Sequence, residues 1–380
     1  MPDPRVDVLV SGGGVAGLTA AAAFGAAGLS VLCVAPAPPV TDEAGPGADL
    51  RTTAFLQPSV DLLARIGLWD RLAPHAAPLQ VMRIVDAGGA EPVARLTRAF
   101  DASEISDRPF GWNLPNWLLR REISARLAEL PRVEFRPGTG TAGLTVRDDA
   151  ALVDLSDKSR VRARLVVAAD GRNSPVREAL GIGVRTFRYG QKALAFAVTH
   201  EIPHENVSTE IHRWGGPFTL VPLPDRGGKP SSAVVWMERG TEIARLRGLS
   251  REAFEVELNA RSAGILGHLT QATGLTEWPI ISQIADAYTG PRTALIAEAA
   301  RTAAEADVAL VVVGTNSLVE SEGYDRTTLA LPGRQDDLVR AVVAANPRTV
   351  VLVNAGSPVL LPWRDDVAGR AGRRDLHRRR

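Results

Sequence analysis

One cysteine, Cys33, occurs in 380 residues, so no disulfide can form within the chain and nothing points to an oxidising compartment. It lies in the apolar run SVLCVA, where a small core residue is expected rather than a nucleophile. Charge of one sign is also missing: the formal net charge is +1, which leaves no global field to attract nucleic acid or an acidic partner. No apolar run of about twenty residues is free of Gly, Pro or charge, so no membrane-spanning helix is expected. The start does not read as a signal peptide. Asp3 and Asp7 spoil a basic leader and a triple glycine interrupts the apolar stretch, so a cytoplasmic chain is expected. Ligands for a metal are lacking as well. His200, His204 and His212 have no Cys or carboxylate partners at a set spacing, and strand residues four apart lie roughly 13 Å from each other. They read as sheet histidines, with no metal.

What is present is ordinary globular composition, 45% hydrophobic and 23% charged, in a length that suits two or three domains. Val6–Val10 reads as a strand, a glycine cluster follows, and Leu18–Ala27 reads as an alanine-rich helix stopped by Gly28. Ser30–Val34 is a second strand and Pro36–Asp49 a loop. Gln57–Leu72 has helical spacing, and Leu118–Leu130 is an amphipathic helix. Leu144–Leu155 and Val161–Ala168 look like strands. From Lys192 to Trp236 short strands alternate with Gly/Pro turns, as in a mostly antiparallel sheet. Ser250–Ala260 reads as a helix, and PRTALIAE as a strand. The style shifts near Arg301. Asp307–Val313, Pro332–Ala345 and Thr349–Val353 read as strand, helix and strand, a parallel βαβ pattern. The arginine-rich end, RAGRRDLHRRR, reads as a solvated disordered tail.

The glycine cluster carries chemistry. GGGVAG fits the G-x-G-x-x-G dinucleotide fingerprint at Gly12, Gly14 and Gly17. Gly12 is expected to make the tight turn, Gly14 to let the backbone approach a diphosphate, and Gly17 to let the helix pack closely. The amides of the first turn, Val15 and Ala16 included, would offer N–H donors and a partial positive charge. The pattern follows a strand and opens a helix, which raises it above a bare glycine-rich turn. The acid expected about twenty residues on is absent, because Ala35 and Pro36 stand there. Losing a hydrogen bond to a charged group costs about 1.5–3 kcal/mol, enough to weaken a tight cofactor complex without abolishing it.

A second motif, ARLVVAADGRNSPVRE, spans Ala163–Glu178. It resembles the Asp-Gly motif of single-component FAD-dependent aromatic hydroxylases, the group of p-hydroxybenzoate hydroxylase and the ubiquinone-biosynthesis hydroxylases. The resemblance places Asp170, Gly171, Ser174 and Arg177 near the FAD diphosphate. It also assigns Arg51, in ADLRTTAF, to the phosphates, and Arg120, in LLRREISARL, to a helix start beside the flavin. A surface charge is the competing reading for Arg51, as it is for Arg120 and Arg121. The segment from Arg188 to Asp225 resembles the substrate-covering sheet of the ubiquinone branch, with Tyr189, Gln191, Gly216, Pro217 and Pro222 at recognisable places.

The resemblance covers residues 5–300 and then breaks. The family's third motif, Gly-Asp-Ala-Ala-His with a Pro/Gly loop, is replaced by LIAEAA, where Glu298 takes the acid position and Arg301 the place of His. Residues 306–366 instead resemble the C-terminal domain of family 3 glycoside hydrolases. There Glu322, in ESEGYDR, matches a candidate acid/base, but the barrel that supplies the second carboxylate is missing.

The expected fold is therefore α/β: a Rossmann-like FAD-binding domain (1–72, 109–182, 286–300) with an inserted, mostly antiparallel β-sheet substrate domain (73–108, 183–285). An appended βαβ fragment (301–367) and a basic tail (368–380) follow. The resemblance implies an FAD-dependent monooxygenase that uses NAD(P)H and oxygen on a small hydrophobic aromatic such as a polyprenyl phenol. It leaves open a peripheral contact with the inner membrane and the oligomeric state. No general base is identifiable. Two alternatives stand beside this reading: a flavoprotein-derived fusion that no longer hydroxylates, and a glycoside hydrolase fragment.

Overall fold

The computed structural model describes residues 4–89, 93–213 and 215–295, the strands 309–314, 349–354 and 369–371, and Asp336, Arg340, Pro362 and Trp363. The chain divides into two units, Met1–Ile296 and Ala297–Arg380.

The first unit opens with β1 (Arg5–Ser11), α1 (Val15–Ala26) and β2 (Val31–Ala35). Val8, Leu9 and Val10 are all buried, so both faces of β1 are covered, as parallel strands require. A crossover helix is the connection parallel strands need, and β1 and β2 are indeed parallel, with Val8 beside Val31 and Ser11 beside Val34. The alanines of α1 let it lie close to the sheet. Its buried Leu18, Ala21 and Ala22 share a core with Leu119, Ile123 and Leu127. Gly28 ends the helix at φ 82°, a left-handed turn that glycine takes without strain.

Next come β3 (Thr52–Leu56), α2 (Gln57–Arg65) and α3 (Trp69–Leu72), then β4 (Ala77–Leu79), β5 (Val81–Asp86) and β6 (Leu96–Asp101). The single helical stretch expected over 57–72 is two helices. Gly67, at φ 71°, breaks it, and Leu68 turns inward to full burial. β7 (Gly111–Pro115), α4 (Asn116–Glu129) and β8 (Val133–Pro137) follow. The strand expected over 144–155 is a hairpin of β9 (Thr141–Val146) and β10 (Ala151–Leu155), because Asp148 and Asp149 supply a turn between them. β11 (Arg160–Ala168) and α5 (Pro175–Ala179) lead to β12 (Val184–His200), β13 (Val207–His212), β14 (Phe218–Arg226) and β15 (Lys229–Arg239). The unit closes with α6 (Gly240–Arg247), α7 (Arg251–Ser262), β16 (Leu269–Gln271), β17 (Thr276–Ala285), β18 (Thr289–Gly290) and β19 (Thr293–Leu295).

Among the described residues of this unit the strands form three sheets. The first has the order β18-β19-β11-β1-β2-β8, extended by β10 and β9, and its central strands are parallel. The second has the order β16-β12-β15-β14-β13-β5-β6, with β17 also on β12, and is antiparallel except where β13 meets β5. α6 and α7 cover it through Ile243, Leu246, Phe254 and Leu258, and Phe254 meets Phe196 edge-on at 5.5 Å. The third, β3-β7-β4, is tied to β14 where the Asn113 amide donates to the Pro222 carbonyl at 3.0 Å.

In the second unit, β20 (Ala309–Gly314) and β21 (Thr349–Asn354) pair in parallel, while the helix expected over 332–345 lies outside the described residues apart from Asp336 and Arg340. β22 (Gly369–Ala371) joins β21 in parallel, with Arg370 beside Val351. Residues 369–371 of the expected basic tail are thus strand, and 372–380 lie outside the described residues. The backbone of 369–371 completes the ladder offered by the free edge of β21, and an arginine side chain does not prevent strand pairing. Trp363 is buried, and its indole N–H donates to Asp336 Oδ1 at 2.6 Å. Among the described residues no helix is long and apolar enough to cross a membrane.

Candidate cofactor site

The glycine fingerprint folds as one turn from β1 into α1. The Gly12 amide donates to the Val34 carbonyl at 2.8 Å, and its φ of 125° is one only glycine adopts readily. A Cβ on Gly12 would lie 2.1 Å from the Ala169 carbonyl oxygen, and one on Gly17 would lie 2.0 Å from the Gly12 oxygen. Both glycines therefore serve close backbone packing. Gly14 differs: a Cβ there would meet nothing within 4 Å. It precedes α1 with no side-chain cap, so the first-turn amides of Val15, Ala16 and Gly17 lack the partner a capping side chain would give. Gly12, Gly13 and Gly14, just before these amides, line an open cleft of about 530 Å³.

The far wall of the cleft is the turn after β11. Asp170 and Gly171 line it, with Gly171 at φ 83°. The Asp170 carboxylate accepts from Ser11 Oγ and from the Val176 amide, both at 3.3 Å. Ser11 Oγ also shares a 2.8 Å hydrogen bond with Thr141 Oγ1. The turn is thus fastened to β1 and to the start of α5. Where the fingerprint expects an acid, Ala35 to Pro39 form an apolar wall. A Cβ on Gly13 would come within 2.5 Å of Ala35 Cβ, so the glycine turn packs directly on that wall.

Arg120 reaches the cleft from α4, and Arg51 does not line it. Instead Arg51 spends its fork on Asp49, through Nε at 2.7 Å and a terminal nitrogen at 2.6 Å, and its guanidinium lies 5.6 Å from the Trp278 ring centre. Asp49 is buried and also accepts from Arg120 at 3.3 Å and Asn116 at 3.1 Å. Burial pushes the Asp49 pKa up, but the Arg51 hydrogen bonds and charge, with Asn116 and Arg120, hold it below the usual carboxylate range. Arg121 turns away, pairing with Glu122 and stacking over Trp117.

Ser174 and Arg177 lie behind the turn. Ser174 caps α5 by accepting from the Arg177 amide at 3.0 Å. Arg177 is buried and donates to the Arg172 carbonyl at 2.7 Å, which braces the turn from behind. Glu298 and Glu322 lie outside the described residues. Sequence reasoning passed over Ser11, Thr141, Asn116 and Asp49. Only Asp49 carried a signal, two residues before Arg51.

His200 and His204 lie much closer than the roughly 13 Å that strand spacing predicts. β12 ends at His200 and the chain turns, so the His200 and His204 rings are 6.0 Å apart. Both rings are held by the protein: His200 Nδ1 bonds the Ile202 carbonyl and Nε2 the Ser232 hydroxyl, while His204 Nε2 bonds the Leu223 carbonyl. Among the described residues no group of three metal-ligating side chains forms.

A mixed α/β fold with a glycine turn facing an Asp-Gly turn defines the class, and comparison with known proteins places the chain within it. Ubiquinone hydroxylase UbiL of Rhodospirillum rubrum is 36% identical over 298 residues, 78% of this chain and 67% of that protein. The solved structure of the flavin-dependent monooxygenase PieE, in complex with FAD and substrate, superposes with a TM-score of 0.60 at 21% identity. It covers 78% of this chain and 53% of PieE. The chain thus spans about two thirds of UbiL and about half of PieE. The glycosyl hydrolase family 3 C-terminal domain matches residues 135–370. A β-glucosidase of Kluyveromyces marxianus is 46% identical over 71 residues, 19% of this chain and 8% of that protein. The chain belongs to the ubiquinone-biosynthesis hydroxylase family of FAD-dependent monooxygenases, joined to a piece of the glycosyl hydrolase family 3 C-terminal domain. The join cannot begin at residue 135, since β8 pairs with β2 and β11 with β1 inside the first unit.

Proposed function

We propose that the first unit binds FAD, with the diphosphate between the amino end of α1 and the Asp170–Gly171 turn, and acts as an NAD(P)H-dependent monooxygenase. The substrate class is a small hydrophobic aromatic of the ubiquinone-precursor kind. On this reading residues 1–72, 109–182 and 286–300 hold the cofactor, while 73–108 and 183–285 cover the substrate. The observation that carries the proposal is the open approach at Gly14, where an uncapped helix end meets the cleft.

The residues fit a diphosphate. Phosphate oxygens suit the amides of Val15, Ala16 and Gly17 and the partial positive charge of the helix end. Arg120 adds a full positive charge at the wall, and its buried Nε has no hydrogen-bond partner. Ser11 and the Val176 amide hold the Asp170 carboxylate, which keeps the facing turn in place. The wall from Ala35 to Pro39 offers the adenosine half an apolar surface in place of a carboxylate. When bound, FAD supplies the redox chemistry that moves electrons from NAD(P)H to oxygen and an oxygen atom to an electron-rich ring. The protein's share is to orient and to exclude water.

A second reading, a nucleotide-binding fusion that no longer hydroxylates, is favoured by one observation: Arg301 and glycoside-hydrolase-like sequence replace the family's third motif. The test uses the full chain with FAD, NADPH and a short-chain prenyl phenol. Oxygen uptake raised by the phenol, with a product heavier by one oxygen, supports the first reading. Bound FAD without product supports the second. No FAD binding removes the first.

A further inference from the structure

We infer that Asp49 is a positioning residue for the diphosphate grip, holding Arg120 at the cleft while neutralising Arg51. The inference rests on the function proposed above. Asp49 is 7% exposed, and a carboxylate so placed persists only if its lone pairs are filled. They are: Oδ1 accepts from Arg51 Nε and the Arg51 amide, and Oδ2 accepts from Arg51, Asn116 and Arg120.

Two features turn this from a buried ion pair into a positioning device. Asn116 and Arg120 stand four apart on α4, so they share one helix face and reach the same carboxylate. The amide of Asn116 is itself oriented, because its Oδ1 accepts from Thr53 Oγ1 at 2.6 Å, which turns its NH2 toward Asp49. The chain Thr53, Asn116, Asp49, Arg120 therefore runs from the third sheet to the cleft wall. Among the described residues no acceptor other than Asp49 holds Arg120. One carboxylate against two guanidiniums leaves a net single positive charge, the sign a diphosphate needs. Without Asp49 the two guanidiniums repel, and Arg120, already 21% exposed, is free to leave for solvent.

The experiment is a titration of the full chain with FAD, followed by flavin fluorescence, with a melting curve for each variant. Asp49→Asn should weaken FAD about tenfold, and Arg120→Met by a similar factor. The combined variant should lose little beyond Arg120→Met alone, because Asp49 acts through Arg120. Losses that multiply, or an Asp49→Asn chain that binds FAD like the parent, overturn the inference. If Asp49→Asn does not fold, Asp49→Asn with Arg51→Met leaves the same net charge and no orphaned Arg51. Weakened FAD then supports positioning over bulk charge, and parental affinity overturns it. A parent chain that binds no FAD instead sinks the proposed function, and the inference falls with it.

Discussion

Replacing each fingerprint glycine with alanine separates packing from binding. At Gly12 the methyl must accept φ 125° and a carbonyl oxygen 2.1 Å away, and at Gly17 it meets a carbonyl oxygen at 2.0 Å. Backbone strain of this kind costs about 1–3 kcal/mol, and overpacking adds about 1–3 kcal/mol. Each kcal/mol moves the melting point by about 2–4 °C in a domain of 150–250 residues, so a fall of roughly 4–24 °C is expected for Gly12→Ala. Gly14 sits at φ −74° and ψ 172°, which alanine adopts freely, and the added methyl meets no protein atom. The stability change at Gly14→Ala should stay under about 1 kcal/mol. The methyl instead occupies the diphosphate approach. Losing one charge-assisted hydrogen bond costs about 1.5–3 kcal/mol, a ten- to hundredfold weaker FAD complex. Thermal melts without FAD and fluorescence titration with FAD read the two effects apart. A Gly14→Ala chain that melts as low as Gly12→Ala, or that binds FAD like the parent, refutes the reasoning.

Three other outcomes follow from the structure. Burial pushes the Cys33 thiol up to about 12, so a thiol reagent at pH 8 should modify the native chain only as fast as it unfolds, and rapid native labelling would contradict the burial. Burial also lowers the His200 pKa, with the nearby His204 charge adding to it, so the folded state binds its proton less readily than the unfolded state. Its contribution to stability should be complete above about pH 6.5 and be lost as pH falls toward the folded pKa; urea melts of His200→Asn should show a flatter acid slope than the parent, and an unchanged slope counts against it. In the second unit, Trp363→Ala should cost about 3–5 kcal/mol in the unfolding transition of that unit, measured by far-ultraviolet circular dichroism in urea.

Local chemistry made part of this structure readable. The strand, glycine turn and helix from Val6 to Ala27 depend on contacts within about thirty residues, so apolar patterning and three glycines sufficed to place them. The Asp-Gly turn was legible through its resemblance to a family motif, since Asp-Gly alone also fits an ordinary strand–turn–helix. What was not legible depends on distant partners. Nothing near Gly67 marks it as a helix break rather than a tolerated glycine, because the decision lies in the burial of Leu68. Arg51 looked like a phosphate ligand, yet its fork is filled by Asp49 two residues earlier and its face by Trp278, far along the chain. The resemblance set Arg177 near the diphosphate, and its guanidinium braces the Arg172 carbonyl behind the turn. The strand at Gly369–Ala371 hid beneath arginines because composition reports side chains, whereas the ladder is made by backbone.

The most direct measurement is amide hydrogen exchange on the full chain with and without FAD. Slowed exchange on adding FAD at Gly13 to Gly17 and at Gly171, with the sheet from Val207 to Trp236 little changed, is the result required if the diphosphate sits at the amino end of α1. Saturated FAD binding that leaves those amides as fast as before would place the cofactor elsewhere.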